Sequence, residues 1–185
     1  SERPHPMNRA LAVCLAVAST AAHAQLVRGP YLQKETPTSI VVVWRTQTAE
    51  GSTVKYGTSA TALGQTASSA TNVTEHAVTL TGLSPDKRYF YSVGTASVTR
   101  APATSGEQVE HTFLTPPTAG TRKAFRFWVV GDDGTGGSAQ AQTVSRMKAR
   151  SVQAGEKWPD LFIHVGDMAY NSGTDTEFTT NHFAP

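Results

Sequence analysis

The spacing of apolar residues changes at Pro116-Pro117, and this change limits the folds open to the chain. Before the prolines, the runs are short and are predicted to bury one face, as Ile40, Val42 and Trp44 would within the run of residues 39–44, which is typical of strands in a sandwich. After them, residues 125–130 and 161–165 are nearly continuous apolar runs, as expected for strands of a parallel sheet buried on both faces. Two prolines followed by small residues make a linker. The sequence therefore predicts two units, residues 25–117 and 121–185.

The first unit contains only strand patterns, separated by turn-rich stretches such as residues 82–86. Its predicted strands are Ser39–Trp44, Val54–Gly57, His76–Leu80 and Arg88–Val93. Short alternating strands at this spacing predict a β-sandwich. Residues 62–74, rich in Ala, Ser and Thr, are predicted to be a loop or a sheet edge.

A tyrosine pattern refines the fold of this sandwich. Leu83-x-Pro85 followed by Tyr89-x-Tyr91 resembles the tyrosine corner of fibronectin type III domains. That resemblance implies that Trp44 is a buried strand tryptophan. A sandwich of this kind either packs beside a catalytic unit or recognises a partner, and we favour packing because fold alone assigns no function. Two histidines of this unit, His76 and His111, are expected to be structural or exposed.

The second unit begins as one βαβ unit. Residues 134–137 are a flexible turn after the first apolar run, and Ser138 is a plausible helix N-cap. Apolar residues such as Ala141 and Val144 then recur at helical spacing to about Ala154. The second apolar run follows, so the ends of both strands should lie at the same edge of the sheet.

Each of these two strands runs into Gly-Asp, at Asp132 and Asp167. Neighbouring strands lie about 5 Å apart, so the two carboxylates should lie close together. Two bare carboxylates at that distance repel and raise each other's pKa, whereas a bound cation removes the penalty. The pattern therefore predicts a site for hard metal ions.

The motifs Gly131-Asp132-x-Gly134 and Gly166-Asp167-x-x-Tyr170 resemble the opening of the metal-binding signature of binuclear metallophosphoesterases, and the tyrosine narrows the resemblance to purple acid phosphatases. The resemblance implies that Asp132 and the Tyr170 phenolate bind Fe(III), and that Asp167 bridges to a second ion, Fe(II), Zn(II) or Mn(II). Two such ions about 3.5–4 Å apart hold a phosphate ester and stabilise in-line displacement at phosphorus. The implied activity is hydrolysis of phosphate monoesters.

Other polar residues flank or follow the motifs. Asp133 fills the variable position and is expected to support a ligand or face solvent, and His164 is expected to be a packed, hydrogen-bonded histidine. Asn181-His182 does not match the later Gly-Asn-His-Glu of the family, because Thr180 precedes it and Phe183 follows it. The remaining ligands and the acid–base histidines are expected beyond Pro185, so these 185 residues alone are expected to be inactive.

Three other interpretations remain open. Residues 134–139 fit G-x-G-x-x-A, which can cradle a dinucleotide pyrophosphate, although Asp132 and Asp133 beside it disfavour an anion. A phosphodiesterase of the same superfamily would share the metal motifs. A secreted β-sandwich binding module without catalytic activity is the alternative from a different class.

The N-terminus predicts export. Residues 7–24 have the pattern of a signal peptide: the short positive start Met7-Asn8-Arg9, the apolar stretch 10–20, which is too short to span a bilayer, and the cleavage pattern Ala22-His23-Ala24. The alternative is a buried apolar helix. The one cysteine, Cys14, lies inside residues 7–24, so disulfides and thiolate metal sites are not expected after cleavage. The predicted location is secreted or periplasmic.

The charge balance narrows the possible partners. Removing Arg3, Arg9 and Glu2 with the leader leaves 14 basic and 13 acidic residues, a net charge of +1. This predicts no binding to nucleic acid or to an anionic membrane, and leaves a phosphate ester as the expected partner. The sequence does not indicate an oligomeric state.

Overall fold

A computed structural model describes residues 25–102, 111–153 and 159–183. The predicted signal peptide, residues 7–24, lies outside these ranges. No helix within them has both the length and the apolar character needed to cross a membrane.

The first unit is an antiparallel β-structure organised around one long strand. Its strands are β1 (Leu26–Thr36), β2 (Ser39–Gly57), β3 (Gln65–Leu80), β4 (Arg88–Gly94), β5 (Thr99–Ala101) and β6 (Thr112–Leu114). The first half of β2 pairs with β1 and β3, and its second half pairs with β3 and β4. The predicted strands 39–44 and 54–57 are therefore two halves of β2, joined through a register shift between Arg45 and Ser52.

Residues 62–74 lie partly within β3. From Gln65 onward the chain is extended, and β3 pairs only with β2 among the described strands. The edge interpretation is confirmed, and the loop is restricted to the residues before Gln65.

The core of this unit lies where the predicted one-faced pattern places it. Ile40, Val42 and Trp44 are buried, as are Tyr89 and Tyr91. The tyrosine corner is also present, because the Tyr89 hydroxyl accepts a hydrogen bond from the backbone N–H of Ser84 at 3.0 Å. These positions confirm the predicted fold of the first unit.

His76 is a structural residue. Its ring is fully buried and stacks on Trp44, with centroids 4.6 Å apart and planes 3° apart. Both ring nitrogens are used, one with the Thr46 hydroxyl at 2.7 Å and one with the Ser52 hydroxyl at 2.8 Å. Burial lowers the pKa of His76, so the folded protein favours the neutral ring.

The second unit contains two parallel strands with a helix between them in sequence. The strands β7 (Phe127–Val130) and β8 (Leu161–His164) pair in register, with Phe127 opposite Leu161 and Val130 opposite His164. The helix α1 (Ser138–Gln153) has nearly the predicted bounds. A short helix, α2 (Asp175–Glu177), then continues into a π-helical turn, Phe178–Phe183.

The prediction that both strands are buried on both faces is wrong for this structure. Phe127 is 59% exposed and Val165 is 68% exposed, and Val129 and Phe162 are also exposed. Each strand pairs only with the other among the described residues, so the sheet has too few elements around it to cover two apolar faces. The apolar runs did predict strands, but not their burial.

Candidate metal centre

The two Gly-Asp motifs lie side by side at the ends of β7 and β8. Backbone pairing continues past the strands, because Val165 N–H donates to Val130 O at 2.9 Å and Asp132 N–H donates to Gly166 O at 3.1 Å. The two loops therefore leave the same edge of the sheet in contact. This places Asp132 and Asp167 together, as their position after parallel strands requires.

Both aspartates have an unusual backbone conformation. Asp132 has φ +57° and Asp167 has φ +58°, in the left-handed region that side chains other than Asn and Asp rarely adopt. Aspartate tolerates this region because its short polar side chain can hydrogen-bond locally. A left-handed aspartate thus follows each strand, and the two aspartate side chains lie in the same site.

Gly134 allows the two loops to touch. A Cβ built at this position would lie 2.1 Å from the carbonyl carbon of Met168 and 2.3 Å from the nitrogen of Ala169. Gly134 N–H donates to Asp167 O at 3.0 Å, and Gly134 O accepts from Tyr170 N–H at 2.7 Å. The last glycine of the first motif is therefore required by the backbone of the second.

Tyr170 joins the two carboxylates. Its hydroxyl donates to Asp132 Oδ1 and contacts Asp167 Oδ2 at 2.6 Å. These hydrogen bonds, that with Asp132 first, raise the pKa of Tyr170. One hydroxyl donates only one proton, so it cannot donate to both carboxylates at once, and a bound cation would interact favourably with both. The structure brings the three predicted ligands together; their binding of metal stays a prediction.

Asp133 and His164 form a second pair of side chains at the ends of these strands. His164 Nε2 lies 2.6 Å from Asp133 Oδ1, and Gly166 N–H donates to His164 Nδ1 at 3.1 Å. Because Nδ1 accepts, the ring proton is on Nε2 and is donated to Asp133. His164 is hydrogen-bonded, as predicted, and it joins the loop after β7 to the end of β8.

His182 comes close to this pair. One ligand atom each from Asp133, His164 and His182 lies within 4.8 Å of the others, a spacing that could hold an ion. Burial is the main cause that lowers the pKa of His182, and the nearby His164 adds to it. Both nitrogens of His164 already have hydrogen-bond partners, however, so its contacts are complete without an ion.

Asn181 and Gln140 contact the loops, and sequence spacing did not identify either. Asn181 Nδ2 donates to Gly134 O at 3.3 Å and to Tyr170 O at 3.1 Å. Gln140 donates to Asn181 O and accepts from Gly136 N–H at 2.7 Å. No local motif marks such contacts, because they join residues 41 and 47 positions apart.

These contacts also weigh against the dinucleotide interpretation. A pyrophosphate would need free backbone N–H groups in the glycine-rich turn. The N–H of Gly134 donates to Asp167 O, that of Gly136 to Gln140, and that of Gly137 to the Thr135 hydroxyl at 3.3 Å. The turn is built to contact other parts of this chain.

Comparison with known protein families supports the predicted fold of the first unit. Residues 30–115 match the family described as "Purple acid Phosphatase, N-terminal domain". The sandwich therefore matches the N-terminal domain of purple acid phosphatases. No curated protein sequence matches the chain.

Two solved structures are similar to parts of this chain. The structure of PhoD is similar over 83% of this chain and 30% of its own, with 17% identity and a TM-score of 0.56. The fn3 domain of human contactin 1 is similar over 63% of this chain and all of its own, with 17% identity and a TM-score of 0.35. At this identity the PhoD likeness concerns fold alone, and the present chain spans less than a third of the length of PhoD.

Proposed function

We propose that this chain belongs to a secreted, metal-dependent acid phosphatase that hydrolyses phosphate monoesters through a binuclear metal centre. The observation that carries the proposal is the convergence of Asp132, Asp167 and Tyr170 where two parallel strands end. The match of the preceding sandwich to the N-terminal domain of purple acid phosphatases supports the same family of phosphoesterases.

The donor chemistry fits the proposed ions. Two carboxylates and a phenol are hard oxygen donors, and a phenolate favours a trivalent ion such as Fe(III). Asp132 and Tyr170 would hold this ion, and Asp167, with two carboxylate oxygens, would also reach the second. When bound, the two ions would supply Lewis-acid stabilisation to a phosphate ester.

The surrounding residues keep these donors in place. The His164–Asp133 hydrogen bond fixes the loop that carries Asp132, and the Tyr170 N–H to Gly134 O bond fixes the loop that carries the phenol. Preorganised ligands lower the cost of ordering when an ion binds. The chain therefore contributes geometry as well as donor atoms.

The test uses the full-length protein loaded with iron and zinc. We expect hydrolysis of an aryl phosphate monoester and a purple colour from charge transfer between Tyr170 and Fe(III). Asp167→Asn should abolish turnover, and Tyr170→Phe should remove the colour even where activity survives. Asp86→Asn, an exposed change in the sandwich far along the chain from the motifs, is the matched control and should leave both unchanged.

Other outcomes separate the alternatives. Faster hydrolysis of an aryl phosphate diester than of the monoester would identify a phosphodiesterase. A full-length protein that binds no metal and hydrolyses neither ester would favour a binding module. Turnover that survives Asp167→Asn would refute the bridging role of that carboxylate.

Export is part of the proposal and has its own test. Protein recovered from the medium or periplasm should begin at Gln25, which N-terminal sequencing would show. A mature protein that retains residues 7–24 would contradict the predicted cleavage.

A further inference from the structure

Residues 175–183, here called the bridging segment, lie between the sandwich and the loops of the candidate metal centre. On the sandwich side, Arg28 of β1 donates to Asp175 Oδ1 at 3.0 Å and to the Thr179 hydroxyl at 3.0 Å. Arg45 of β2 also donates to Asp175. Hydrogen bonding from Arg45 is the largest cause that lowers the pKa of Asp175, which keeps this carboxylate charged in mildly acidic solution.

An aromatic contact strengthens the same junction. The Arg28 guanidinium lies 4.5 Å from the centroid of the Phe183 ring, and the Tyr31 ring lies 4.9 Å from it. The side chain of Arg28 is only 11% exposed, so its cation–π contact is partly desolvated and stronger than one at an open surface. Arg28 therefore holds both ends of the bridging segment.

The opposite side of the bridging segment contacts the loops. Asn181 donates to Gly134 O and to Tyr170 O, and these two carbonyls belong to different loops. A Cβ at Gly136 would lie 2.7 Å from Asn181 Oδ1, so the glycine-rich turn packs directly against this side chain. Asn181 therefore fixes the separation of the loop after β7 and the loop after β8.

We propose that the sandwich positions the Asp132–Asp167–Tyr170 cluster through the bridging segment, with Arg28 and Asn181 as positioning residues. Arg28 anchors the segment to β1, and Asn181 transmits that anchoring to the two loops. The accessory sandwich thereby sets the geometry of a site to which it contributes no ligand. The catalytic consequence rests on the proposed function, whereas the mechanical coupling does not.

The direct test is backbone hydrogen exchange in the full chain. The N–H groups of Gly134 and Tyr170 report on the loops, because each donates across the loop-to-loop contact. Removing an anchor raises the frequency of local opening, so Arg28→Ala and Asn181→Ala should each accelerate exchange at both positions by about tenfold. Lys123→Ala, which breaks an exposed ion pair with Asp86, is the control and should have no effect there.

Two further measurements test whether the sandwich stays folded and whether Arg28 and Asn181 act through the same chain of contacts. The N–H groups of β2 should keep their wild-type exchange in Arg28→Ala, which shows that the sandwich itself remains folded. The double variant should exchange at the rate of the faster single variant, because both changes interrupt one chain of contacts. Unchanged exchange at Gly134 and Tyr170 in either single variant, or multiplicative acceleration in the double variant, would overturn the coupling.

A spectroscopic readout tests the effect on the cluster. In the iron-loaded full-length protein, Arg28→Ala should shift or broaden the tyrosinate-to-iron band, and Arg28→Lys should restore it in part because the positive charge remains. If the full-length protein binds no iron, the proposed function fails while the exchange result still decides the coupling. If iron binds and the band is identical in Arg28→Ala, the positioning role is refuted and the proposed function stands.

Discussion

Trp44 shows what a single residue contributes to the sandwich. It is fully buried in the first half of β2, and its ring stacks on His76. Trp44→Ala should lower the free energy of unfolding by about 3–5 kcal/mol, the cost of a large cavity in a core. Urea denaturation measures this, with Val27→Ala, a change at an exposed residue, as the control. Equal effects of the two changes would contradict the assigned core.

The buried His76 should make the stability of the sandwich decrease in acid. Because burial lowers its folded-state pKa below the ordinary value of 6.5, the unfolded chain binds a proton more readily than the folded one. The stability that this group contributes is complete above pH 6.5 and is lost as the pH falls from there towards the folded-state pKa. The free energy of unfolding should therefore decrease between pH 7 and pH 5, as urea denaturation at each pH would show.

A pair of variants isolates this effect. His76→Gln should flatten the pH dependence, because the group that titrates is gone. Val78→Ala, in the same strand and also buried, should lower the stability at every pH and keep the slope. An unchanged slope in His76→Gln would assign the acid sensitivity to another group.

Replacement of Gly134 should disturb the contact between the two loops of the candidate site. In Gly134→Ala the new methyl group would collide with backbone atoms of Met168 and Ala169, which cannot rotate away. Overpacking of this kind costs about 1–3 kcal/mol, or the two loops separate to avoid it. Exchange of the Tyr170 N–H should therefore accelerate. Gly137→Ala, whose methyl group would meet only the Thr135 hydroxyl at 3.4 Å, should behave like the wild type.

At the scale of elements, periodicity predicted what local chemistry determines. The sequence predicted the one-faced pattern of β2, the tyrosine corner and the bounds of α1, because each depends on residues close in sequence. The parallel pairing of β7 with β8 followed from two apolar runs and one helix between them. That pairing was sufficient to place Asp132 beside Asp167.

Contacts between residues far apart in sequence could not be predicted in the same way. In the sequence, Asn181 belongs to a pair that does not match Gly-Asn-His-Glu, yet its amide contacts both loops of the candidate site. The sequence predicts that Asp133 supports a ligand or faces solvent, but it does not identify its partner His164, which lies 31 positions away. Such contacts depend on how elements meet in space, which neither spacing nor composition records.

The exposed strands β7 and β8 carry a prediction of their own. Since Phe127 is 59% exposed in this chain, Phe127→Ser should change the free energy of unfolding by no more than about 0.5 kcal/mol, as for ordinary surface changes. Its neighbour Trp128 is less exposed and contacts Phe162, with ring centroids 5.1 Å apart, so Trp128→Ser should cost more. Equal losses in urea denaturation would show that the Phe127 face is covered in solution.

At the scale of the whole molecule, the contacts of the bridging segment make the sandwich and the candidate site mechanically dependent. The sandwich has its own core, with Trp44 and Tyr89 buried away from the second unit. The two-stranded sheet has exposed apolar faces, so its loops depend on contacts from elsewhere in the chain. In the proposed coupling, the contacts of Arg28 with the bridging segment restrict the motion of the loops of the second unit relative to the well-packed sandwich.

The donor set determines what these 185 residues can do by themselves. Asp132, Asp167 and Tyr170 supply oxygen donors only, and a single carboxylate among them would bridge to the second ion. His164 donates one ring proton to Asp133 and accepts from Gly166, so both of its ring nitrogens are already in use. The chain purified with iron and zinc should therefore bind the second ion weakly and show no phosphatase turnover above buffer. Calorimetry and an aryl phosphate assay measure the two quantities, and turnover abolished by Asp167→Asn would show that these residues form a complete centre.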